Sequence, residues 1–144
     1  MDNYINVKFK SLSENEALSR MIIAGFIMPL NPTVDELTDV KTSVSEAVTN
    51  CVIHAYENKD GLIEISAKLK DNILEIEIKD EGVGIEDINE VKKPLYTTKP
   101  ELERSGMGFT IMESFMDSLV IISGKGKGTT LRMKKIFKEE YINE

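Results

Sequence analysis

Hydrophobic and polar residues recur with two different periods along the chain, and each change of period marks a new element. Alternating apolar residues over 4–9 predict a strand. Apolar residues three and four apart follow the capping-box sequence S-E-N-E at 13–16 and predict a helix over about 14–28. A second capping box, T-V-D-E at 33–36, begins a longer helix that includes residues 43–56.

The second half of the chain contains mostly strand patterns. Alternating runs at 63–69 and 74–78 predict a hairpin. A polar, non-periodic segment with two prolines predicts a long loop over 86–106, followed by a helix over about 108–117 and a last hairpin within 119–134. The order of elements predicts an α+β fold, a two-layer sandwich in which one mixed β-sheet carries helices on one face.

Composition limits the class of protein. With 144 residues and 41% hydrophobic content, we expect one domain over 1–144. The chain shows no leader pattern and no run of eighteen apolar residues, so we expect a cytoplasmic protein without a membrane partner. One cysteine and one histidine exclude an internal disulfide and a structural zinc site. A net charge of −7 argues against direct nucleic-acid binding.

Three polar residues recur every four positions on the second long helix, which otherwise has an apolar stripe. Glu46, Asn50 and His54 should therefore stack along one face, about 6 Å apart along the axis. Glu46 alone is also compatible with an exposed helix carboxylate, and a lone histidine such as His54 is more often a structural hydrogen-bonding group. Cys51, between them, is expected to be a small core residue.

Glycines cluster at three places where a ligand could approach the backbone. The alternation of the 74–78 strand also turns Asp80 inward, where a carboxylate needs a partner, and the sequence D-E-G-V-G at 80–84 follows directly. The sequence S-G-M-G-F at 105–109 opens a helix and could bind an anion there. The third cluster is G-T-T at 128–130. Taken singly, each cluster is equally compatible with ordinary turn chemistry.

The four features together are far more specific than any one of them. The order E-x-x-x-N, D-x-G-x-G, G-x-G before a helix and G-T-T resembles the superfamily of gyrase, heat-shock chaperone, histidine kinase and mismatch-repair ATPases. The run PLYTTKPELERSGMGFTIMESFMD at 94–117, with SEAVTN at 45–50, is similar to the sporulation anti-sigma F factor family, serine kinases of that superfamily. The resemblance covers almost the whole chain and is weakest in the charged tail at 134–144.

The resemblance implies a site for ATP or ADP with Mg²⁺. In such a site Asn50 would coordinate the Mg²⁺ that bridges the phosphates, and Glu46 would act as base toward the attacking hydroxyl. Asp80 would accept a hydrogen bond from the adenine amino group. Gly82 and Gly84 would belong to the loop around the base, Gly84 allowing its close approach, and Thr130 would close the adenine pocket.

The resemblance also implies a lid over the phosphates, at roughly 86–108. Lys99 and Arg104 could add positive charge there, although both are also compatible with ordinary solvated loop residues. The lid residues expected to bind nucleotide are Thr97, Thr98, Lys99, Arg104, Ser105, Gly106, Met107, Gly108 and Phe109.

Members of that family bind two proteins: a sigma factor, which they inhibit, and an anti-anti-sigma factor, which they phosphorylate on a serine. Arg20 matches a partner-contact position, the alternative being an ordinary surface arginine. Family members form homodimers, and the strand at 4–10 is a plausible pairing edge.

Other functions stay open at this point. The chain could be a general-stress anti-sigma kinase, or a module in which nucleotide only sets the lid conformation without kinase turnover. The catalytic domain of a sensor histidine kinase is less consistent with the sequence, because His54 lies inside the nucleotide helix instead of on a separate dimerising helix.

Overall fold

The computed structural model of the chain describes residues 2–91 and 108–138. The strands are β1 (Asp2–Lys10), β2 (Leu62–Lys70), β3 (Ile73–Asp80), β4 (Ser118–Ser123) and β5 (Thr129–Ile136). The helices are α1 (Glu14–Ile27), α2 (Val34–Asn50), the short α3 (Ile88–Val91) and α4 (Gly108–Phe115), with a 3₁₀ turn at Met28–Leu30 and a π turn at Cys51–Ala55. The predicted strands, hairpins and helices are thus confirmed, with shifts of a few residues at their ends. The segment predicted as a loop over 86–106 contains the short helix α3, and its residues 92–106 lie outside the described part of the chain.

The five strands form one sheet in the order β1-β2-β3-β5-β4. Every pair is antiparallel, so the prediction of a mixed sheet is wrong for the described strands, while the α+β class is confirmed. The reason lies in the connections. Strands β2–β3 and β4–β5 are hairpins, and β1 is joined to β2 through two helices, each of which reverses the chain direction.

The core lies between one face of the sheet and the helices. Inward positions of β2 and β3 alternate strictly with outward polar ones, as shown by Ile63, Ile65 and Ala67 against Glu64 and Ser66. These inward side chains form one cluster with the buried faces of α1, α2 and α4. At about 25 cal/mol per Å² of buried apolar surface, this packing is the main term that holds the helical layer on the sheet. Within residues 2–91 and 108–138, no helix is long and apolar enough to cross a membrane.

Only one of the two predicted capping boxes forms. At the start of α2, Thr33 Oγ1 accepts the Glu36 N–H at 3.1 Å, and Glu36 Oε1 accepts the Thr33 N–H at 2.9 Å. At the start of α1, Ser13 has a helical backbone and makes no side-chain cap bond. The carboxylate of Glu16, which the box would need, instead accepts the hydroxyl of Ser45 on α2.

The α-helix that carries the predicted polar column ends earlier than predicted. It ends at Asn50, and the π turn Cys51–Ala55 follows, in which the Tyr56 N–H donates to the carbonyl five residues earlier at 3.0 Å. Glu46 and Asn50 therefore lie in the regular α-helix, and His54 lies in the π turn.

The two helix starts offer a matched test. Replacing Thr33 by alanine should lower the free energy of unfolding by about 1 kcal/mol, because the first turn of α2 loses its side-chain acceptor. Replacing Ser13 by alanine should change it by less than about 0.5 kcal/mol. Urea-induced unfolding followed by circular dichroism measures both. Equal losses in the two variants would show that Ser13 caps α1 after all.

Candidate functional site

Helix α4 begins directly against the polar column of α2. Gly108, its first residue, is buried, and a methyl group placed on it would lie 3.2 Å from Glu46 Oε2 and 3.2 Å from Asn50 Nδ2. Glycine therefore lets the backbone at the start of α4 approach both side chains. The first helical turn offers main-chain N–H groups and the positive end of the helix dipole at this point, which favours an anion. The structure brings Glu46, Asn50 and Gly108 together as the sequence predicted.

The side-chain amide of Asn50 is buried at the end of α2. Its side chain belongs to a residue that is 9% exposed, and its Nδ2 has no hydrogen-bond partner among the described residues. A buried donor left unpaired costs about 1–3 kcal/mol, so such a group normally has a ligand to satisfy it. An amide that offers both a nitrogen donor and an oxygen acceptor fits a site shared by phosphate oxygens and a hard cation.

Asp80 ends β3 and points into the core, as its position in the alternation predicted. It is 6% exposed, and its Oδ1 accepts the N–H of Gly82 at 2.9 Å and that of Thr129 at 3.2 Å. Its Oδ2 lies 3.5 Å from Cys51 Sγ. Burial raises the pKa of Asp80 above its usual value, while these hydrogen bonds act in the opposite direction. The protein thus holds the carboxylate in place, and Oδ2 can still accept a further hydrogen bond.

The Cys51 thiol is buried where α2 meets the sheet. Burial raises the pKa of Cys51 well above its usual range, and the charge of Asp80 and the hydrogen bond to it act in the same direction. The thiol therefore stays protonated and can donate to the Asp80 carboxylate. The prediction that Cys51 is a small core residue is confirmed by its 3% exposure.

Two glycines bring the loops around Asp80 into backbone contact. Gly84 has φ +77°, and a methyl group on it would collide with the carbonyl oxygen of Gly124 in the β4–β5 turn. Gly128 has φ +73°, and a methyl group there would collide with the carbonyl oxygen of Asp80. Both positions need a residue without Cβ for two reasons, the backbone conformation and the space. The close approach at Gly84 is thus made by the protein's own main chain; contact with a base stays a prediction.

The loop 81–84 is also fastened to the end of the π turn. The Tyr56 hydroxyl donates to the Leu62 carbonyl at 2.5 Å and accepts the Glu81 N–H at 2.7 Å. The Val83 N–H donates to the Ala55 carbonyl at 2.9 Å. Sequence reasoning missed Tyr56, because a tyrosine after a helix gives no sign of which main-chain groups it will meet.

The comparisons with known proteins agree with this arrangement. Residues 10–135 match the family model described as histidine kinase-like ATPase domain. A relative from Clostridium botulinum (strain Alaska E43 / Type E3) named anti-sigma F factor is 58% identical over 137 residues, which cover 94% of this chain and 96% of that protein. The anti-sigma F factor of Geobacillus stearothermophilus is 52% identical over 141 residues, 97% of each chain. The chain belongs to the anti-sigma F factor family.

The fold has a solved counterpart outside close relatives. A structure of the RsbU and RsbW domains of a Mycobacterium tuberculosis protein aligns with a TM-score of 0.66 at 15% sequence identity. The alignment covers 99% of this chain and 34% of that one. At this level of identity the likeness concerns the fold alone, and it confirms the predicted histidine-kinase-like architecture of this anti-sigma F factor family member.

Thr130 and Asp80 lie on opposite faces of the sheet. In β5, Thr129 is buried on the inward face and pairs with Asp80, while Thr130 pairs with Lys79, because side chains of a strand alternate between faces. Thr129 meets Asp80 through its N–H, and its hydroxyl lies 2.8 Å from Ser123 Oγ. The assignment of Thr130 to the adenine pocket stays a prediction, and Thr129 is a further residue at Asp80 that sequence reasoning missed.

The other predicted site residues are placed as follows. Phe109 packs against the core cluster, so its backbone is the part available at the start of α4. Arg20 is on α1, its Nε 3.3 Å from Glu16 Oε1 and its side chain 40% exposed; its contact with a partner stays a prediction. The lid residues outside the described part of the chain are Thr97, Thr98, Lys99, Arg104, Ser105, Gly106 and Met107.

The glycine contacts generate a test with an internal control. Replacing Gly84 by alanine should lower the free energy of unfolding by at least about 2 kcal/mol, because the new methyl group meets backbone at a strained φ. Replacing Gly25, a helical residue of α1 with nothing within 4 Å of its Cβ position, should raise it by about 0.5–1 kcal/mol. Thermal and urea unfolding of the two variants check both signs. A neutral Gly84→Ala would mean that the two loops are not in contact.

Proposed function

We propose that this protein is an anti-sigma factor that binds and inhibits a sporulation sigma factor, and that it uses Mg-ATP to phosphorylate a serine of an anti-anti-sigma factor. The observation that carries the proposal is the meeting of Glu46, Asn50 and Gly108 where α4 begins. It supplies a base, a metal ligand and an anion site within one small volume. Membership of the anti-sigma F factor family supports the choice of partners.

The adenine base would bind at Asp80. Its Oδ1 already accepts two N–H groups, so the free capacity of Oδ2 suits one donor, such as the exocyclic amino group of adenine. Guanine would present a carbonyl acceptor to the same oxygen and be disfavoured. Gly82 and Thr129, whose N–H groups hold Oδ1, fix the carboxylate in place before the base arrives.

The phosphates would lie between Asn50 and the start of α4. Asn50 would hold Mg²⁺ through its amide oxygen, as one protein ligand beside phosphate oxygens and water. When bound, Mg²⁺ neutralises phosphate charge and favours in-line transfer of the phosphoryl group. The first N–H groups of α4 would stabilise the same oxygens from the other side, with Gly108 permitting the close approach.

Glu46 would take the proton of the substrate serine. As the serine oxygen forms its bond to the γ-phosphorus, the bond from that phosphorus to the oxygen of the departing ADP breaks, and the serine proton passes to the Glu46 carboxylate. Glu46 lies one helical turn before Asn50 and next to the start of α4, beside the expected phosphate site. Because Asn50 is the proposed metal ligand, the Glu46 carboxylate remains available as a base.

Protein partners would use the surface outside this site. Arg20, 40% exposed on α1, is our candidate for contact with both the sigma factor and the anti-anti-sigma factor. β1 is an edge strand of the sheet, which supports the pairing of two copies along it as a homodimer. We also propose that residues 1–144 act as one domain in the cytoplasm.

The kinase role is tested by Glu46→Gln. The variant should bind ATP with affinity within about threefold of the wild type, because the amide keeps the shape of the side chain, and it should transfer phosphate to the anti-anti-sigma factor at least about a hundredfold more slowly. A labelled-ATP transfer assay and nucleotide titration measure the two effects. Transfer at the normal rate by Glu46→Gln would remove Glu46 from the mechanism.

The same assay distinguishes the binding-module alternative. Wild-type protein that binds ATP and a sigma factor, but never labels the anti-anti-sigma factor, would show that nucleotide only sets a conformation.

The adenine assignment is tested by Asp80→Asn. The asparagine oxygen can still accept the Gly82 and Thr129 N–H groups, but its amide would present a donor to the adenine amino group. Affinity for ADP at pH 7 should fall by about tenfold to a hundredfold, as for the loss of a hydrogen bond to a charged group. Isothermal titration measures this loss, and unchanged ADP affinity would exclude Asp80 as the base-binding residue.

The same variant should respond differently to pH. The pKa of Asp80 is raised in the folded state, so the folded protein holds that proton more tightly, and stability falls as pH rises through the range between the usual value of 3.8 and the raised one. Asp80→Asn has no titrating carboxyl group at this position, so its stability does not fall for this reason. The difference in unfolding free energy, variant minus wild type, should therefore grow as pH increases from about 3 to neutrality.

A further inference from the structure

We propose that Cys51 is a positioning residue for base recognition: its thiol orients Asp80 so that Oδ2 is the oxygen presented to the adenine amino group. This proposal rests on the proposed adenine pocket. Selectivity for the base then depends on a side chain that touches neither the base nor the phosphates.

The hydrogen bonds of the Asp80 carboxylate are unequally divided. Oδ1 accepts two main-chain N–H groups, from Gly82 at 2.9 Å and Thr129 at 3.2 Å, which occupy its two lone pairs. Oδ2 lies 3.5 Å from the Cys51 thiol, which donates to it. The thiol thus occupies one hydrogen-bonding direction of Oδ2, and the other direction is left for one ligand donor.

Burial makes this weak donor effective. Cys51 is 3% exposed and Asp80 6%, so little water competes for the contact. A hydrogen bond in such a low-dielectric place is electrostatically stronger than the same bond in water. The terminal torsion of an aspartate is broad and roughly two-fold, so a carboxylate held at one oxygen only can still turn about it. The thiol opposes that turning.

Cys51 lies between the phosphate end of the proposed site and the π turn. It is the first residue of that turn, and the preceding residue, Asn50, meets the start of α4 and has an Nδ2 without a hydrogen-bond partner among the described residues. Consecutive residues therefore serve the two ends of one ligand site: Asn50 the phosphate end, Cys51 the end at Asp80. The widened turn also docks on the loop after Asp80, through the Val83 N–H bond to the Ala55 carbonyl.

The experiment compares two ligands that differ in one group. ADP and the 5′-diphosphate of purine riboside, which lacks the 6-amino group, are titrated into wild-type protein and into Cys51→Ala, Cys51→Ser and Val52→Ala. The quantity measured is the ratio of the two dissociation constants, which reports the contribution of the amino group. A purely structural change weakens both ligands alike and leaves this ratio unchanged.

We expect the wild type to prefer ADP, and Cys51→Ala to lose about threefold to tenfold of that preference, in line with the net value of one hydrogen bond. Serine is close in size to alanine but carries a hydroxyl donor, so Cys51→Ser should keep the preference for ADP within about twofold. Val52→Ala is the packing control, because Val52 is buried in the same turn at 5% exposure and has no polar group; it should keep the wild-type ratio.

The contrary outcomes are distinct. An unchanged ratio in Cys51→Ala overturns the positioning role while the adenine pocket stands; if both ligands bind equally more weakly, Cys51 is a packing residue. A serine variant that loses as much of the preference as the alanine variant also overturns the role. Wild-type protein that binds both ligands equally overturns the adenine pocket itself and the inference with it.

Discussion

The buried carboxylate of Asp80 is the constraint on which the rest of the site depends. A charge at this depth is tolerated only where donors surround it, and the fold provides them from three separate elements: the loop after β3, the start of β5 and the end of α2. Gly128 must be a glycine for the main chain of β5 to reach the Asp80 carbonyl at all. These hydrogen bonds hold three parts of the chain together at Asp80. Among the described residues, they leave Oδ2 able to accept one further hydrogen bond.

A second constraint operates at the same end of α2, where Glu46 and Asn50 meet the start of α4. A methyl group at Gly108 would lie only 3.2 Å from a side-chain atom of each, so the close approach favours glycine at this position. At the far end of α4, Lys135 Nζ donates to the Phe115 carbonyl at 2.7 Å and lies 3.3 Å from Asp39 Oδ2 on α2. The ammonium thus satisfies a C-terminal carbonyl of α4 and ties that helix to α2. The register between the two helices is fixed at both ends.

Much of this fold could be predicted from the sequence, because most of its strands and helices have a recognisable period of hydrophobic residues. Strict alternation in β2 and β3 gave the hairpin and the inward direction of Asp80, and the Thr33 capping box marked the start of α2. Prediction failed where tertiary contacts decided. Glu16 had two possible partners, and the contact with Ser45 on α2 displaced the cap at Ser13.

The sequence identified candidate residues of the site but not every contact between them. Spacing and alternation singled out Glu46, Asn50 and Asp80, and the resemblance to the ATPase superfamily implied their roles; which threonine of the G-T-T sequence faces Asp80 depended on strand register, which the motif does not contain. The π turn was invisible for a related reason. Nothing local in the sequence C-V-I-H-A demands five-residue closure; it accompanies the docking of Ala55 and Tyr56 on the loop after β3.

The C-terminal end of α2 contributes to both ends of the proposed nucleotide site. Asn50, the last residue of the α-helix, meets the start of α4, and Cys51, the next residue, lies 3.5 Å from Asp80. The phosphate and base ends of the proposed site are thus joined by the peptide bond between neighbouring residues. The π turn that follows docks on the loop after β3 through the Val83 N–H bond to the Ala55 carbonyl. In the proposed site, a shift of this segment would therefore act on both ends together.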